Sequence, residues 1–144
     1  MKVSFHHAGI VVPNLEKGIV FYQQLLDLKE QMRFEWDDTK DRFAEDVINL
    51  KESAAKAAML EGDGFNVEIF EYTSPEQSGD PSDHRACDPG IRHIAFKFDD
   101  IKAACKRFVE GGGTLHHDPV LLGTTWAIYG RDPFGNIVEL MQDA

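Results

Sequence analysis

Two stretches of this chain carry one pattern, and that repetition narrows the fold more than any other feature. His7 opens a short β-rich run and the apolar stripe of the next helix begins at Leu15; His93 opens another, and its helix stripe begins at Ile101, eight residues later in both cases. The last strand of each half carries a Glu between two aliphatic residues, Val67-Glu68-Ile69 and Val138-Glu139-Leu140. Each half therefore reads as strand, helix and three strands, a βαβββ module that opens on a His and closes on a Glu. The expected class is α+β, with two βαβββ modules in tandem whose sheets face one another across a cleft. A chain of 144 residues is enough for one domain, residues 1–144, with modules at about 1–73 and 91–144 and a linker at about 74–90.

Within the first module, Phe5 to Val12 is a strand ended by Pro13-Asn14, and Asn14 suits the cap of a helix with Leu15, Ile19, Tyr22 and Leu26 on its apolar stripe. Lys29 to Trp36 reads as a second strand and Asp37 to Ser53 as a long loop with room for a helical turn. Ala54 to Glu61 and Asn66 to Tyr72 form a hairpin through Gly62-Asp63-Gly64. The stretch from Ser74 to Gly90 is polar and rich in Pro and Gly, the mark of a linker. The second module has a strand at Ile91 to Phe98, a helix capped by Asp99 or Asp100 with Ile101, Cys105 and Phe108 on one face, and a stop at Gly111-Gly112-Gly113. Strands follow at Thr114 to His117, Thr124 to Tyr129 and Asn136 to Gln142, the last two joined around Asp132-Pro133-Phe134-Gly135.

Composition removes several kinds of partner. Fifteen Lys and Arg against 25 Asp and Glu give a formal charge of −10, which speaks against nucleic acid or an anionic membrane surface. The longest apolar runs, such as Ala8–Val12, are far short of the ~20 residues needed to span a bilayer. The N-terminal residues lack the apolar core of a signal peptide, and the two cysteines, Cys87 and Cys105, make no framework, so the cytoplasm is the expected compartment. No GxGxxG, P-loop or Ser–His–Asp signature supports nucleotide or acyl chemistry.

The chemistry rests on four residues. Glu68 shares a strand face with Asn66 and Phe70, and Glu139 with Ile137 and Met141. A carboxylate is rarely buried unless it is paired or bound to a cation. His7 shares its face with Gly9 and Val11, and His93 with Ala95, small neighbours that leave an imidazole accessible. Two imidazoles and two carboxylates suit a borderline divalent cation, Zn, Ni, Co, Fe or Mn. Such a cation polarises a carbonyl, stabilises an enolate or holds dioxygen.

Other residues have plainer readings. His116 and His117 precede Asp118-Pro119 and suit a loop edge better than a metal site. His6 alternates with His7 and should point away from the cleft. His84 and Cys87 sit in the linker, where they suit a solvated stretch or the mouth of a substrate site. Trp126 and Phe70 suit either an apolar pocket or core packing. Arg92 could hold a substrate carboxylate, although its strand phase is opposite to that of His93. The acidic stretch from Glu35 through Asp46 reads as a solvated loop that closes over the cleft.

Four segments resemble the vicinal oxygen chelate superfamily, which includes glyoxalase I, methylmalonyl-CoA epimerase, extradiol dioxygenases, fosfomycin-resistance enzymes and bleomycin-binding proteins. They are His7-Ala8-Gly9-Ile10-Val11-Val12 with the Phe21-Tyr22 helix, Val67-Glu68-Ile69-Phe70-Glu71-Tyr72, Gly90-Ile91-Arg92-His93-Ile94-Ala95-Phe96, and Asp132 through Leu140. The resemblance runs from about residue 4 to 142. It implies metal ligands at His7, Glu68, His93 and Glu139, a divalent ion among Ni, Co, Zn, Mn and Fe, and a homodimer in which the modules pair within a chain or across the two. It further implies an enzyme, since bleomycin-binding members generally lack these ligands.

The His-Glu-His-Glu set is most similar to that of bacterial glyoxalase I, a lactoylglutathione lyase. The implied reaction is proton abstraction next to a carbonyl of a small molecule, with Glu139, or Glu68 released from the metal, as the base. Methylmalonyl-CoA epimerase is similar around Ala58-Met59-Leu60, but it typically has Gln at the place of Glu68 and an acid at the place of Ala57, and neither Glu52 nor Glu61 stands where that acid is expected. Extradiol dioxygenases resemble two His and one carboxylate on Fe(II), which a fourth ligand at Glu68 fits less well. A small-molecule binding or resistance protein is the remaining alternative.

Overall fold

The computed structural model describes residues 1–40, 42 and 44–144, which divide into two compact units, Met1–Ser78 and Gly79–Ala144. The secondary structure is mixed α+β, with one sheet in each unit.

The first unit runs β1 (His7–Val11), α1 (Leu15–Leu26), β2 (Lys29–Asp37), a single turn α2 (Glu45–Ile48), β3 (Ala54–Glu61) and β4 (Asn66–Ser74). Its sheet order is β1-β4-β3-β2, with β1 parallel to β4 and the other neighbours antiparallel. Asn14 caps α1 by accepting from the Lys17 amide at 2.9 Å. The helix buries Leu15, Gly18, Ile19, Tyr22 and Leu25 on β3 and β4, so its stripe runs through Leu25 and leaves the expected Leu26 half-buried. Gly18 is required where α1 crosses the sheet, because a Cβ there would stand 2.8 Å from Ile69 Cγ2.

The segment after β2 departs in part from the expected loop. Glu35, Trp36 and Asp37 belong to β2, which pairs along its length with β3. The Trp36 indole Nε1–H donates to Ser53 Oγ at 2.9 Å. Asp38 is buried, and its carboxylate accepts from the Ala44 and Glu45 amides, closing the start of α2. Asp41 and Phe43, part of the stretch read as a loop over the cleft, lie outside the described residues.

The second unit runs β5 (His93–Lys97), α3 (Ile101–Glu110), β6 (Thr114–Leu115), β7 (Val120–Leu122), β8 (Thr125–Arg131) and β9 (Ile137–Asp143). The order is β5-β9-β8-β6, with β7 also on β8, and β5 is parallel to β9 as β1 is to β4. Asp100 is the cap of α3, accepting from the Ala103 amide at 3.0 Å. Ile101, Ala104 and Phe108 are buried, whereas Cys105 is half-buried. Gly113 and Gly130 admit the Phe108 ring, since a Cβ on either would lie within 2.6 Å of it.

The strand expected from Thr114 to His117 is only two residues long, and β7 follows as a separate strand. Pro119, which has no amide hydrogen to give a ladder, stands between the two. The turn from Asp132 to Asn136 forms around a buried carboxylate: Asp132 accepts from the Phe134 and Asn136 amides and from Asn136 Nδ2. The segment read as a linker has structure of its own. Pro81–Asp83 is a 3-10 turn, and Arg131 binds the carbonyls of Pro81 and His84.

One device appears in both units. The first amide of α1, at Leu15, donates to Glu71 Oε2 at 2.7 Å, and the first amide of α3, at Ile101, donates to Gln142 Oε1 at 2.8 Å. Glu71 lies three residues after Glu68, and Gln142 three after Glu139. The strand that presents a Glu on one face thus reaches the helix with its other face.

Candidate functional site

Strand parity and register fix the surroundings of each Glu. In the first unit Glu68 stands beside Gly9 on β1 and Met59 on β3, and His7, two residues before Gly9, lies on the same face. His7 Nε2 is 3.1 Å from Glu68 Oε2, with the His side chain 37% exposed and the Glu side chain 11%. In the second unit Glu139 stands beside Ala95 on β5 and Tyr129 on β8. His93 Nε2 is 3.3 Å from Glu139 Oε2, and the exposures are again unequal, 38% and 15%.

Each pair is a diagonal between parallel strands, and the small residue at Gly9 or Ala95 leaves the diagonal clear. Each therefore offers one imidazole nitrogen and one largely buried carboxylate at one spot, donors that fit a borderline divalent cation. Among the described residues, no three His, Cys, Asp or Glu side chains are gathered into one cluster.

The neighbours of the two pairs differ. His6 stands against His7: the Nδ1 atoms of the two rings are 2.7 Å apart, and the rings meet edge to face. One of those nitrogens carries the proton that the other accepts, so His7 is held at Nδ1 while Nε2 faces Glu68. In the second unit Tyr129 takes the neighbouring place. Its hydroxyl is 3.4 Å from both ring nitrogens of His93, and the ring centroids are 4.8 Å apart. Partial burial, and then the charge of Glu139, push the Tyr129 hydroxyl above its ordinary pKa. Tyr72 is raised in the same way, by burial and then by Glu68.

The face that carries Glu68 also carries a group of rings. Phe34 and Trp36 of β2 and Phe70 and Tyr72 of β4 lean over Ala55 and Ala57 of β3, with centroids 5.7–6.4 Å apart. The small side chains at Ala55 and Ala57 leave the space that these rings fill. Phe70 therefore belongs to the Glu68 face, whereas Trp126 does not share the face of Glu139. Trp126 pairs with Gln142, and alternation along β8 turns it away from Glu139.

The remaining candidates have other partners and surroundings. His117 Nδ1 bonds the Asp118 carbonyl at 2.8 Å, as a loop edge would. His84 gives its carbonyl to Arg131, and Cys87 is exposed. Arg92 lies against Gly90, and its Nε is buried without a hydrogen-bond partner among the described residues. Tyr129 carries no signal along the chain, because its place beside Glu139 depends on the register of β8 on β9. Glu71 and Gln142 are marked in the sequence only by their equal offset from the two Glu residues.

A family model described as the Glyoxalase/Bleomycin resistance protein/Dioxygenase superfamily matches residues 4–140. The chain is 26% identical over 147 residues to a 2-epi-5-epi-valiolone epimerase from Actinomyces sp, covering 96% of this chain and 79% of that one. It is 25% identical over 138 residues to a lactoylglutathione lyase from Neisseria meningitidis serogroup A, covering 94% of this chain and 88% of that one. In fold it is similar to a glyoxalase family protein from Bacillus cereus, with a TM-score of 0.88 at 19% identity, covering 99% of this chain and 95% of that one.

Proposed function

Since the chain belongs to the Glyoxalase/Bleomycin resistance protein/Dioxygenase superfamily, we propose that it is a divalent-cation-dependent lyase or isomerase that moves a proton next to a carbonyl. The observation that carries this reading is the pair of equivalent diagonals, His7 with Glu68 and His93 with Glu139, each holding a largely buried carboxylate beside an accessible imidazole. The four residues together would hold one cation, with both pairs drawn from one chain or from two copies in a homodimer. The bound cation would supply positive charge beside a substrate oxygen and so acidify the adjacent C–H.

The protein's own part is to take and return that proton. Glu139 takes it at a carboxylate oxygen, with Glu68 as the equivalent group in the other unit, and gives it back to the neighbouring carbon or to the opposite face. The Tyr129 hydroxyl, 3.4 Å from the His93 ring nitrogens, offers a hydrogen-bond donor on the strand position that pairs with Glu139. Return to the neighbouring carbon is an isomerisation of the lactoylglutathione lyase type, which the Neisseria relative supports. Return to the opposite face is an epimerisation, which the Actinomyces relative supports.

Solvent-deuterium exchange distinguishes these outcomes. With cation-loaded protein, deuterium should enter a hemithioacetal, an acyl-CoA thioester or a cyclic ketone at the carbon next to the carbonyl, and Glu139→Gln should abolish it. Exchange that persists in Glu139→Gln, or in metal-free protein, would overturn the proposal. Consumption of dioxygen would place the chain with the dioxygenases instead.

A further inference from the structure

We infer that the Glu139 face of the second unit holds an anionic group of the substrate, a carboxylate or a phosphate, in a cavity beside Arg131. The inference rests on the proposed function and deepens it, because it names a class of substrate for that site.

The cavity measures about 300 Å³, and Thr114, His116, Tyr129, Arg131, Ile137 and Ala86 line it. Its position follows from the register. Thr114 pairs with Arg131, Arg131 with Ile137, and Ile137 with His93, so these four residues form one row across the sheet. Tyr129 and Glu139 form the next row on the same face. With neighbouring strands about 4.8 Å apart, the Arg131 backbone stands about 10 Å from that of His93. A small molecule can span that distance.

Arg131 supplies the charge. Nη1 donates to the carbonyls of Pro81 at 3.1 Å and Gly135 at 2.7 Å, and Nη2 donates to that of His84 at 2.5 Å. Carbonyls orient a guanidinium without cancelling its charge. Among the described residues no carboxylate lies within ion-pair distance of Arg131; Asp80 feels its field but is bonded to Ser82. Of the five N–H donors of a guanidinium, three are used in this way, which leaves Nε–H and one Nη2–H. A carboxylate or phosphate can accept both, as a fork. The Thr114 hydroxyl and the His116 imidazole are further donors on the same cavity. In a chain with a formal charge of −10, a cation fixed in this manner is suited to an anionic ligand.

The test uses the full-length, metal-free protein, titrated with inorganic phosphate and separately with malonate, and followed by ¹⁵N NMR. Saturable shifts are expected at Thr114, His116, Tyr129 and Arg131. Thr114→Glu places a carboxylate opposite Arg131 without touching its carbonyl bonds, and should weaken the binding on the order of tenfold or more. Arg131→Met should remove it. The probe that binds more tightly identifies the anion. Absence of saturable shifts at these residues with both probes, or equal binding by Thr114→Glu, would overturn the inference. Because the readout needs no cation and no turnover, anion binding without proton exchange would count against the proposed reaction alone, and exchange without anion binding would count against this inference alone.

Discussion

Glu71 and Gln142 hold the same place in the two units, each accepting the first amide of the helix that crosses its sheet. Both lie three residues beyond the Glu of the candidate site, so one strand anchors the helix on one face and presents a carboxylate on the other. Loss of a helix-start acceptor typically costs about 0.5–2 kcal/mol. Glu71→Ala should fall in the upper part of that range, because its negative charge also meets the helix dipole. Gln142→Ala should cost less. Urea unfolding of both variants checks the order.

Gly18→Ala sets two effects against each other. Alanine gains about 1 kcal/mol of helix propensity over glycine. The added Cβ would stand 2.8 Å from Ile69 Cγ2 and 3.0 Å from Val12 Cγ2, both in the packed core. Overpacking of this kind costs about 1–3 kcal/mol. The net outcome expected is a lower thermal midpoint, and an unchanged or higher one would show that α1 can move off the sheet.

The alkaline limb of stability should depend on tyrosine. Burial, followed by the neighbouring Glu68 charge, raises the Tyr72 hydroxyl above its ordinary value. The folded state then keeps a proton that the unfolded state gives up, so this contribution is present below about pH 10 and is lost as pH rises toward the higher folded value. Tyr72→Phe should flatten the decline. Urea midpoints between about pH 8 and pH 11, a range that brackets the ordinary tyrosine value, measure it.

His6 should matter through His7. Groups that orient a metal-binding imidazole typically change affinity by about 10–100-fold. His6→Phe removes the Nδ1 contact and should weaken cation binding by about that factor, whereas His6→Asn should recover part of it. Competition with a chromophoric chelator provides the affinities.

How much of this was legible follows from range along the chain. The helix of the first module could be placed because Asn14 and the spacing of Leu15, Ile19 and Tyr22 act locally. The Asp132 turn was legible for the same reason. The four residues of the candidate site stood out because each Glu breaks an apolar strand in the same place of a repeated pattern. Tyr129 and the row from Thr114 to His93 were hidden, since they depend on which residues of separate strands meet. The contact of His6 with His7 was hidden because His6 precedes β1, which begins at His7, and strand alternation says nothing of it. The strand at Val120–Leu122 was hidden because three residues carry too little periodicity to separate it from its surroundings.

If the two His–Glu pairs share one divalent cation, the metal content of the protein reveals it. Protein purified without chelators, as the unaltered chain and as Glu68→Gln and Glu139→Gln, should be analysed for bound metal per chain. One ion per chain is expected in the unaltered protein, whether the pairs come from one chain or two, and a large loss in each variant. Full occupancy in both variants, or loss of only one of two independent ions in each, would contradict it.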